Sequence, residues 1–293
     1  MEKRQKIAVI GLGSMGYGVA QSCLRAGHET YGIDVVPERV DQFQEEGGAD
    51  GNLIEVAGSL DTVIVVVLNA AQTEEVLFGK DGVVSDLKAG ATVIGCATVP
   101  PEFAIQMEKR CAALDIHYLD APISGGAVKA AEGALSIMAA GRPQAFDAAK
   151  FALDAISETV FRLGDRAGPG SAMKAVNQLL AGVHIAAMTE ALTFGMTQGI
   201  TPAKFLEVIP HCAGTSWMLE NRAPHIVEGD YGPKSQINIW PKDLGIVLEI
   251  ARSAGFQAPI TEAALAQYRA AADMGLGHED DAAIAKVYAK QAG

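Results

Sequence analysis

The sequence predicts two parts: an N-terminal α/β domain on a doubly wound, parallel sheet, and an all-α C-terminal domain joined to it by a long helix. Three observations predict this. Up to Gly164, short apolar runs alternate with helix-patterned segments, the signature of βαβ units with helices on both faces of a sheet. Beyond Gly164 no segment carries a strand signature. The first apolar run passes straight into the glycine-rich turn "GLGSMG", which a helix pattern follows.

Each element has its own warrant. "KIAVIG" (6–11) is an unbroken apolar run, as a strand buried on both faces requires. Residues 14–27 read as a helix closed by Gly27, and 28–34 as the next strand. Pro37 opens a helix over 37–47, where its fixed φ suits the first turn. "DTVIVVVLN", "ATVIGCAT", "HYLDAP", "ALSIMAAG" and "TVFRLG" supply five more strands, with helical stretches such as "PPEFAIQMEKRCAAL" between several of them. Helices are then expected at 168–198, 202–212, 215–227, 241–254, 260–274 and 280–291, with breaks at Gly255, Gly275 and Gly277. The boundary falls in "GDRAG", giving domains 1–166 and 167–293 with no linker long enough to make them independent.

Composition narrows the function. With 49% hydrophobic and 20% charged residues the 293-residue chain is expected to fold throughout. Its 23 basic and 35 acidic residues give a net charge of −12 and form no basic stripe, which argues against a nucleic-acid partner. The run "TVIVVVL" (62–68) is too short to span a membrane, and "MEKRQKIAVIGLGSMG" has no small-residue cleavage site, so no cleavable leader is expected in it. Cys23, Cys96, Cys111 and Cys212 are scattered and make no CxxC pair, so a reduced, cytoplasmic protein without a metal site is expected.

Gly11, Gly13 and Gly16 have the G-x-G-x-x-G spacing between a strand and a helix, and Asp34 closes the next strand 18 residues after Gly16. In this Rossmann-like setting Gly11 makes the tight turn, Gly13 lets a pyrophosphate approach the backbone, and Gly16 lets helix and strand pack closely. Leu12, Ser14 and Met15 complete the loop at the helix N-terminus. Asp34 accepts ribose hydroxyls and repels a 2′-phosphate; the nearest arginine, Arg39, lies inside the following helix, so the expected cofactor is NAD.

Two further stretches carry chemistry. "DAPISGGAVKAAEG" (120–133) ends a strand with Ser124, Gly125 and Gly126, whose backbone N–H groups and hydroxyl suit a carboxylate; the same residues also read as an ordinary polar turn. In "GPGSAMKAVNQ" (168–178), Lys174, Asn177 and Gln178 share one face of an otherwise apolar helix. On periodicity alone Lys174 is equally a lysine snorkelling at a domain edge. A dehydrogenase, however, needs a base for the hydroxyl proton, and lysine serves if burial or a second cation such as Lys242 lowers its pKa from about 10.4 toward roughly 7–8.

Four motifs in order, "GLGSMGYGVA" (11–20), "DAPISGGAVKA" (120–130), "GPGSAMKAVNQ" (168–178) and "KDLGIVLE" (242–249), make the chain resemble the β-hydroxyacid dehydrogenase family across nearly its whole length. The resemblance implies that Ser124, Gly125 and Gly126 bind substrate and that Lys174 is the catalytic acid/base. It also implies that Asn177 and Gln178 are substrate-binding amides and that Lys242 lies at the edge of the cofactor and substrate site. Leu68 and Asn69 stand where the family usually has Leu-Pro beside the nicotinamide, and Ala97-Thr98 replaces a hydroxyl pair; Leu68, Asn69 and Thr98 are still expected to contact the cofactor. "AGTSWM", "ENR" and "GDY" (between 213 and 231) resemble the branch acting on L-threonate, so Trp217, with Ser216, Asn221 and Arg222, is expected to reach a polyhydroxylated acid. The other reading makes Trp217 and Met218 core and Arg222 a surface ion-pair partner. The expected activity is NAD-dependent oxidation of a small hydroxy acid. The alternative substrates are 3-hydroxyisobutyrate and 2-hydroxy-3-oxopropionate, and the alternative class is a non-catalytic dinucleotide-binding scaffold. His184 reads as a satisfied core histidine and "GHEDD" (277–281) as a polar helix start. The apolar helical half predicts a homodimer or homotetramer with the long helix in the interface.

Overall fold

A computed structural model of the chain describes residues 4–232 and 234–292, with side chains described as far as Tyr288. The residues divide into two units, one ending at Lys174 and the other starting at Ala175.

The first unit runs β1 (Lys6–Ile10), α1 (Gly16–Arg25), β2 (Glu29–Ile33), α2 (Pro37–Glu45), α3 (Leu53–Val56), β3 (Thr62–Val65), α4 (Ala70–Phe78), β4 (Thr92–Gly95) and α5 (Pro101–Ala112). It continues through β5 (His117–Asp120), β6 (Ile123–Ser124), α6 (Gly126–Glu132), β7 (Leu135–Ala140), α7 (Pro143–Ile156) and β8 (Ser157–Gly164). The strand order is β2-β1-β3-β4-β5-β7-β6, with β8 paired to β7. The unbroken apolar runs have a direct cause. Ile7 and Val9 join Ile64, Ile94 and Leu119 in one core, while Ala8 and Ile10 join Val63, Val65, Val93 and Tyr118 in another. A strand covered by helices on both faces has no polar face to show.

β1 lies between β2 and β3, so the chain leaves it to one side through α1 and returns on the other. That reversal opens a crevice at the carboxyl ends of the strands, the place where ligands bind in such sheets. The first five strands are parallel. The expectation of parallel units throughout fails at β7, which runs antiparallel to β5. Between Asp120 and Leu135 the chain forms only the two-residue β6, which turns back against β7, and the seven-residue α6. That leaves no crossover to reverse the direction of the chain. β6 itself is too short to leave a periodicity signal.

α8 (Pro169–Thr197) starts in the first unit and supplies the leading helix of the second. α9 (Pro202–Val208), α10 (Trp217–Glu228), α11 (Ile239–Ser253), α12 (Pro259–Asp273) and α13 (Ala285–Ala292) follow. Trp240 and Tyr268 stack at 5.5 Å in the centre of the second unit, and the Tyr268 hydroxyl donates to the Gly182 carbonyl at 2.8 Å. A Cβ at Gly182 would sit 2.9 Å from Leu244 Cδ2 and from Trp240 Cε3, so a glycine is needed where α8 meets α11. Among the described residues the one strand-like pairing here is an isolated bridge between Gln236 and Asp280.

By length and composition α8 is apolar enough to cross a membrane, with a mean hydropathy of 1.4 over 18 residues, half of them buried. Its buried residues Ile185, Ala186, Met188 and Leu192 belong to the two apolar clusters of the second unit.

Candidate active site

The glycine loop follows β1 at the crevice. Gly11 donates its N–H to the Ile33 carbonyl at 2.7 Å with φ +96°, and a Cβ there would lie 2.3 Å from the Val66 carbonyl oxygen. A Cβ at Gly16 would fall 1.7 Å from the Gly11 oxygen, whereas at Gly13 it would meet nothing within 4 Å. The first and third glycines are thus demanded by the fold, and the middle one faces open space beside the start of α1. α1 has no side-chain cap and no acid in its first turn. A helix start of that kind offers N–H donors and a positive dipole end, so the loop fits a pyrophosphate. Leu12 is buried and Ser14 exposed.

Asp34 follows β2. Its carboxylate accepts from the Leu12 N–H at 2.6 Å and the Val36 N–H at 2.9 Å, and Arg39 Nη1 lies 3.5 Å away. A groove of about 270 Å³ is lined by Leu12, Gly13, Ser14, Tyr17, Arg39 and Gln42. The structure thus joins Asp34 to the loop by a direct bond. It also brings Arg39 to the carboxylate, although Arg39 is five residues away in sequence and inside α2.

Leu68 and Asn69 follow β3, and Thr98 follows β4, all at the carboxyl edge of the sheet. Leu68 is 61% exposed, with its N–H donated to Gln72 Oε1 at 2.9 Å. Asn69 caps α4, its Oδ1 accepting from the Gln72 N–H at 2.9 Å. The departure from Leu-Pro therefore has a local reason: Asn69 starts the helix by a side-chain cap. Thr98 is half-buried.

The serine-glycine turn and the lysine helix meet after β5. Gly125 and Gly126 both have positive φ, +138° and +79°, so two glycines in succession permit the turn. Lys129 points elsewhere, pairing with Glu158 at 3.4 Å. Asp120, buried at the end of β5, accepts from the N–H groups of Gly168 and Ser171 at 2.8 and 2.9 Å and from the Ser171 hydroxyl at 2.6 Å. Burial pushes this carboxyl above its usual range, against the pull of those hydrogen bonds. The carboxylate caps α8. Gly170 is needed because a Cβ there would lie 2.4 Å from the Asp120 carbonyl oxygen. Two turns into the contact, Lys174 is buried and its Nζ donates to the Ile123 carbonyl at 2.8 Å. The segment 120–126 thus holds both the start of the helix and the tip of its lysine.

In the second unit the structure joins Asn177, Gln178 and Lys242 through a residue that sequence reasoning missed. Asp243 is 2% exposed. Its Oδ2 accepts from Gln178 Nε2 at 2.5 Å, and Gln178 Oε1 accepts from Asn177 Nδ2 at 2.9 Å. Lys242 Nζ lies 2.5 Å from Asp243 Oδ1 as a charge contact without hydrogen-bond alignment. Lys242 is therefore charge-paired with a buried carboxylate on its own helix.

Trp217 opens α10, 61% exposed, behind the Ser216 cap. Met218 is core, so the two residues divide between the expected readings. Arg222 is no surface partner: its Nε meets Asp281 at 2.6 Å, and Asp281, 0% exposed, also accepts from Trp240 Nε1 at 3.1 Å. In "GHEDD", Asp280 caps the 3₁₀ turn that precedes α13 and accepts from His225 Nδ1 at 2.8 Å. His184 is half-buried, and no hydrogen bond to its ring is found among the described residues, so it is not the satisfied core histidine expected.

Two family models cover almost the whole chain. Residues 6–164 match the NAD binding domain of 6-phosphogluconate dehydrogenase, and residues 168–288 match the NAD-binding domain of NADP-dependent 3-hydroxyisobutyrate dehydrogenase. The chain belongs to the β-hydroxyacid dehydrogenase family. It is 46% identical to the L-threonate dehydrogenase of Cupriavidus necator, over 97% of this chain and 96% of that one. It is 34% identical to the 2-(hydroxymethyl)glutarate dehydrogenase of Eubacterium barkeri, over 100% and 98% of the two chains. A crystal structure of 3-hydroxyisobutyrate dehydrogenase from Salmonella typhimurium superposes with a TM-score of 0.91 at 43% identity, covering 97% of this chain and 99% of that one.

The protein is accordingly an NAD(P)-dependent hydroxyacid dehydrogenase, which removes the scaffold alternative. When bound, the nicotinamide cofactor supplies the hydride acceptor. The protein's residues have the remaining tasks of gripping phosphate and ribose, orienting the acid and handling its hydroxyl proton. Asp120, Ser171 and Asp243 were not legible as members of the site, because each acts through a residue 51 or 65 positions away in sequence.

Proposed function

We propose that this dehydrogenase oxidises a hydroxyl of L-threonate, with NAD as its cofactor and Lys174 as the proton acceptor. The observation that carries the reading is Lys174 itself: a buried amine fixed on the Ile123 carbonyl, one residue before the Ser124–Gly126 turn. In oxidation Lys174 takes the hydroxyl proton as hydride leaves the same carbon; in reduction it returns it. The N–H groups and hydroxyl of Ser124, Gly125 and Gly126 hold the carboxylate. By the family resemblance Asn177, Gln178 and Trp217 are assigned to the substrate and Lys242 to the cofactor. Support for the four-carbon acid comes from the L-threonate dehydrogenase relatives, 41–46% identical over nearly the full chain. Asp34 supports NAD over NADP, since a 2′-phosphate would face its carboxylate.

Lys174→Ala is expected to lower turnover by about 10²–10⁴ while NAD binding, followed by calorimetry, persists. Retained turnover would remove the assigned role. NADH production from L-threonate, D-threonate, L-erythronate, D-glycerate and 3-hydroxyisobutyrate, with NADH consumption by 2-hydroxy-3-oxopropionate, decides the substrate. A clear preference for any other acid refutes L-threonate.

A cytoplasmic homo-oligomer completes the proposal. Burial pushes the thiols of Cys23, Cys96 and Cys111 up to about 12, which suits inert thiols in a reducing compartment. Val176, Leu180, Phe194 and Met196 stand 49–65% exposed on α8, apolar surface that self-association would cover. Sedimentation equilibrium tests this, and a monomer at micromolar concentration refutes it.

A further inference from the structure

We propose that Arg39 is a latent 2′-phosphate ligand masked by Asp34, so that the pair, not Asp34 alone, decides between the two nicotinamide cofactors. The inference rests on the reading of Asp34 as the residue that favours NAD. Three observations support it. Arg39 is half-exposed, and among the described residues its guanidinium has one polar partner, Asp34 Oδ2, at the long distance of 3.5 Å. Asp34, by contrast, has a side chain only 6% exposed and is fixed by two short backbone N–H bonds. Arg39 also lines the same groove as Gly13 and Ser14 of the phosphate loop.

The chemistry follows from these positions. A ribose hydroxyl donates to the Asp34 carboxylate and leaves the weak contact with Arg39 undisturbed. A 2′-phosphate carries close to two negative charges, has no proton to donate at neutral pH, and meets that carboxylate as a like charge. Once the carboxylate is removed, the guanidinium loses its one partner and keeps five N–H donors in a fork that matches phosphate oxygens. No new cation has to be introduced. Glu38 and Asp41 flank Arg39 on α2 and lower the gain without cancelling it, because among the described residues the guanidinium is bonded to Asp34 and to neither of them.

The test uses adenosine 2′,5′-bisphosphate and 5′-AMP as probes, titrated calorimetrically into the full-length protein. The wild type, Asp34→Ser, Asp34→Asn and Asp34→Ser/Arg39→Ala are compared. The readout is the ratio of the two affinities, which cancels any general loss of fold or groove shape. The wild type is expected to prefer 5′-AMP. Both single variants are expected to shift the ratio toward the bisphosphate by about tenfold or more, and the double variant to lose that shift. The NADP+/NAD+ ratio of kcat/KM should move in parallel. If the double variant binds the bisphosphate as well as Asp34→Ser does, Arg39 is not the ligand and the proposal fails. If the wild type already binds both probes equally, the reading of Asp34 fails, while the comparison of Asp34→Ser with the double variant still decides Arg39.

Discussion

Gly13→Ala and Gly16→Ala differ by three positions in one turn, and the structure assigns them opposite failures. At Gly16 an added Cβ lies 1.7 Å from the Gly11 oxygen and 3.3 Å from Val66 Cβ. The nearest obstacle is backbone, so the start of α1 must move away from the turn after β1. Overpacking of this kind costs about 3 kcal/mol. For a unit of this size that is roughly 6–12 °C in Tm. At Gly13 the added methyl meets nothing within 4 Å, and φ lies outside the left-handed region. The substitution should be neutral in stability or stabilise by about 0.4–1 kcal/mol. Its methyl instead occupies the space beside the uncapped N–H groups of α1, where a phosphate must sit. Losing one or two charge-assisted hydrogen bonds there, at about 1.5–3 kcal/mol each, weakens NAD binding by about tenfold to more than a hundredfold. Scanning calorimetry gives the Tm, and quenching of intrinsic fluorescence by NADH gives the affinity. The assignment of roles fails if Gly13→Ala binds NADH like the wild type, or melts as low as Gly16→Ala.

Three other perturbations are expected to have defined outcomes. Arg222→Met leaves the fully buried Asp281 without its cation and should destabilise the second unit by about 3–5 kcal/mol in urea unfolding, with Asp281→Asn on the same background recovering part of the loss. Lys242→Met strips the balancing charge from buried Asp243, so a loss of about 1–3 kcal/mol should fall sharply when Asp243→Asn is added; purely additive effects would show that the pair is not coupled. Asp120 has a raised folded pKa, so its contribution to stability is full below the unfolded carboxylate value of about 3.9 and is lost as pH rises through the higher folded value. Asp120→Asn should flatten that part of the stability-against-pH curve, whatever it does to the absolute level through the α8 cap.

Much of the fold was legible because its signals are local. Strands buried on both faces appear as unbroken apolar runs, and the absence of such runs after Gly164 left only helices. The tight turn at Gly11 and the close packing at Gly16 are short-range demands, so their spacing announced the phosphate loop. Lys174 was visible as a charge in an apolar helix, and the three other motifs gave it a role by resemblance. The reversal of β7 was hidden because it depends on a two-residue strand. Likewise the exposure of Trp217 beside a buried Met218 depends on how α10 is turned, which one residue pair does not reveal.

By itself, then, the sequence determined the βαβ half, the helical half and the fingerprint joining Gly11, Gly13, Gly16 and Asp34, because burial and backbone conformation act on neighbours along the chain. Only the tertiary structure decided what holds the reactive groups. Asp120 caps α8 from 51 positions before Ser171, Asp243 holds Gln178 from 65 positions away, and Arg39 reaches back from α2 to Asp34. A buried carboxylate must find donors wherever the packed elements bring them. Those donors are neighbours in space, and no pattern along the chain records which they will be.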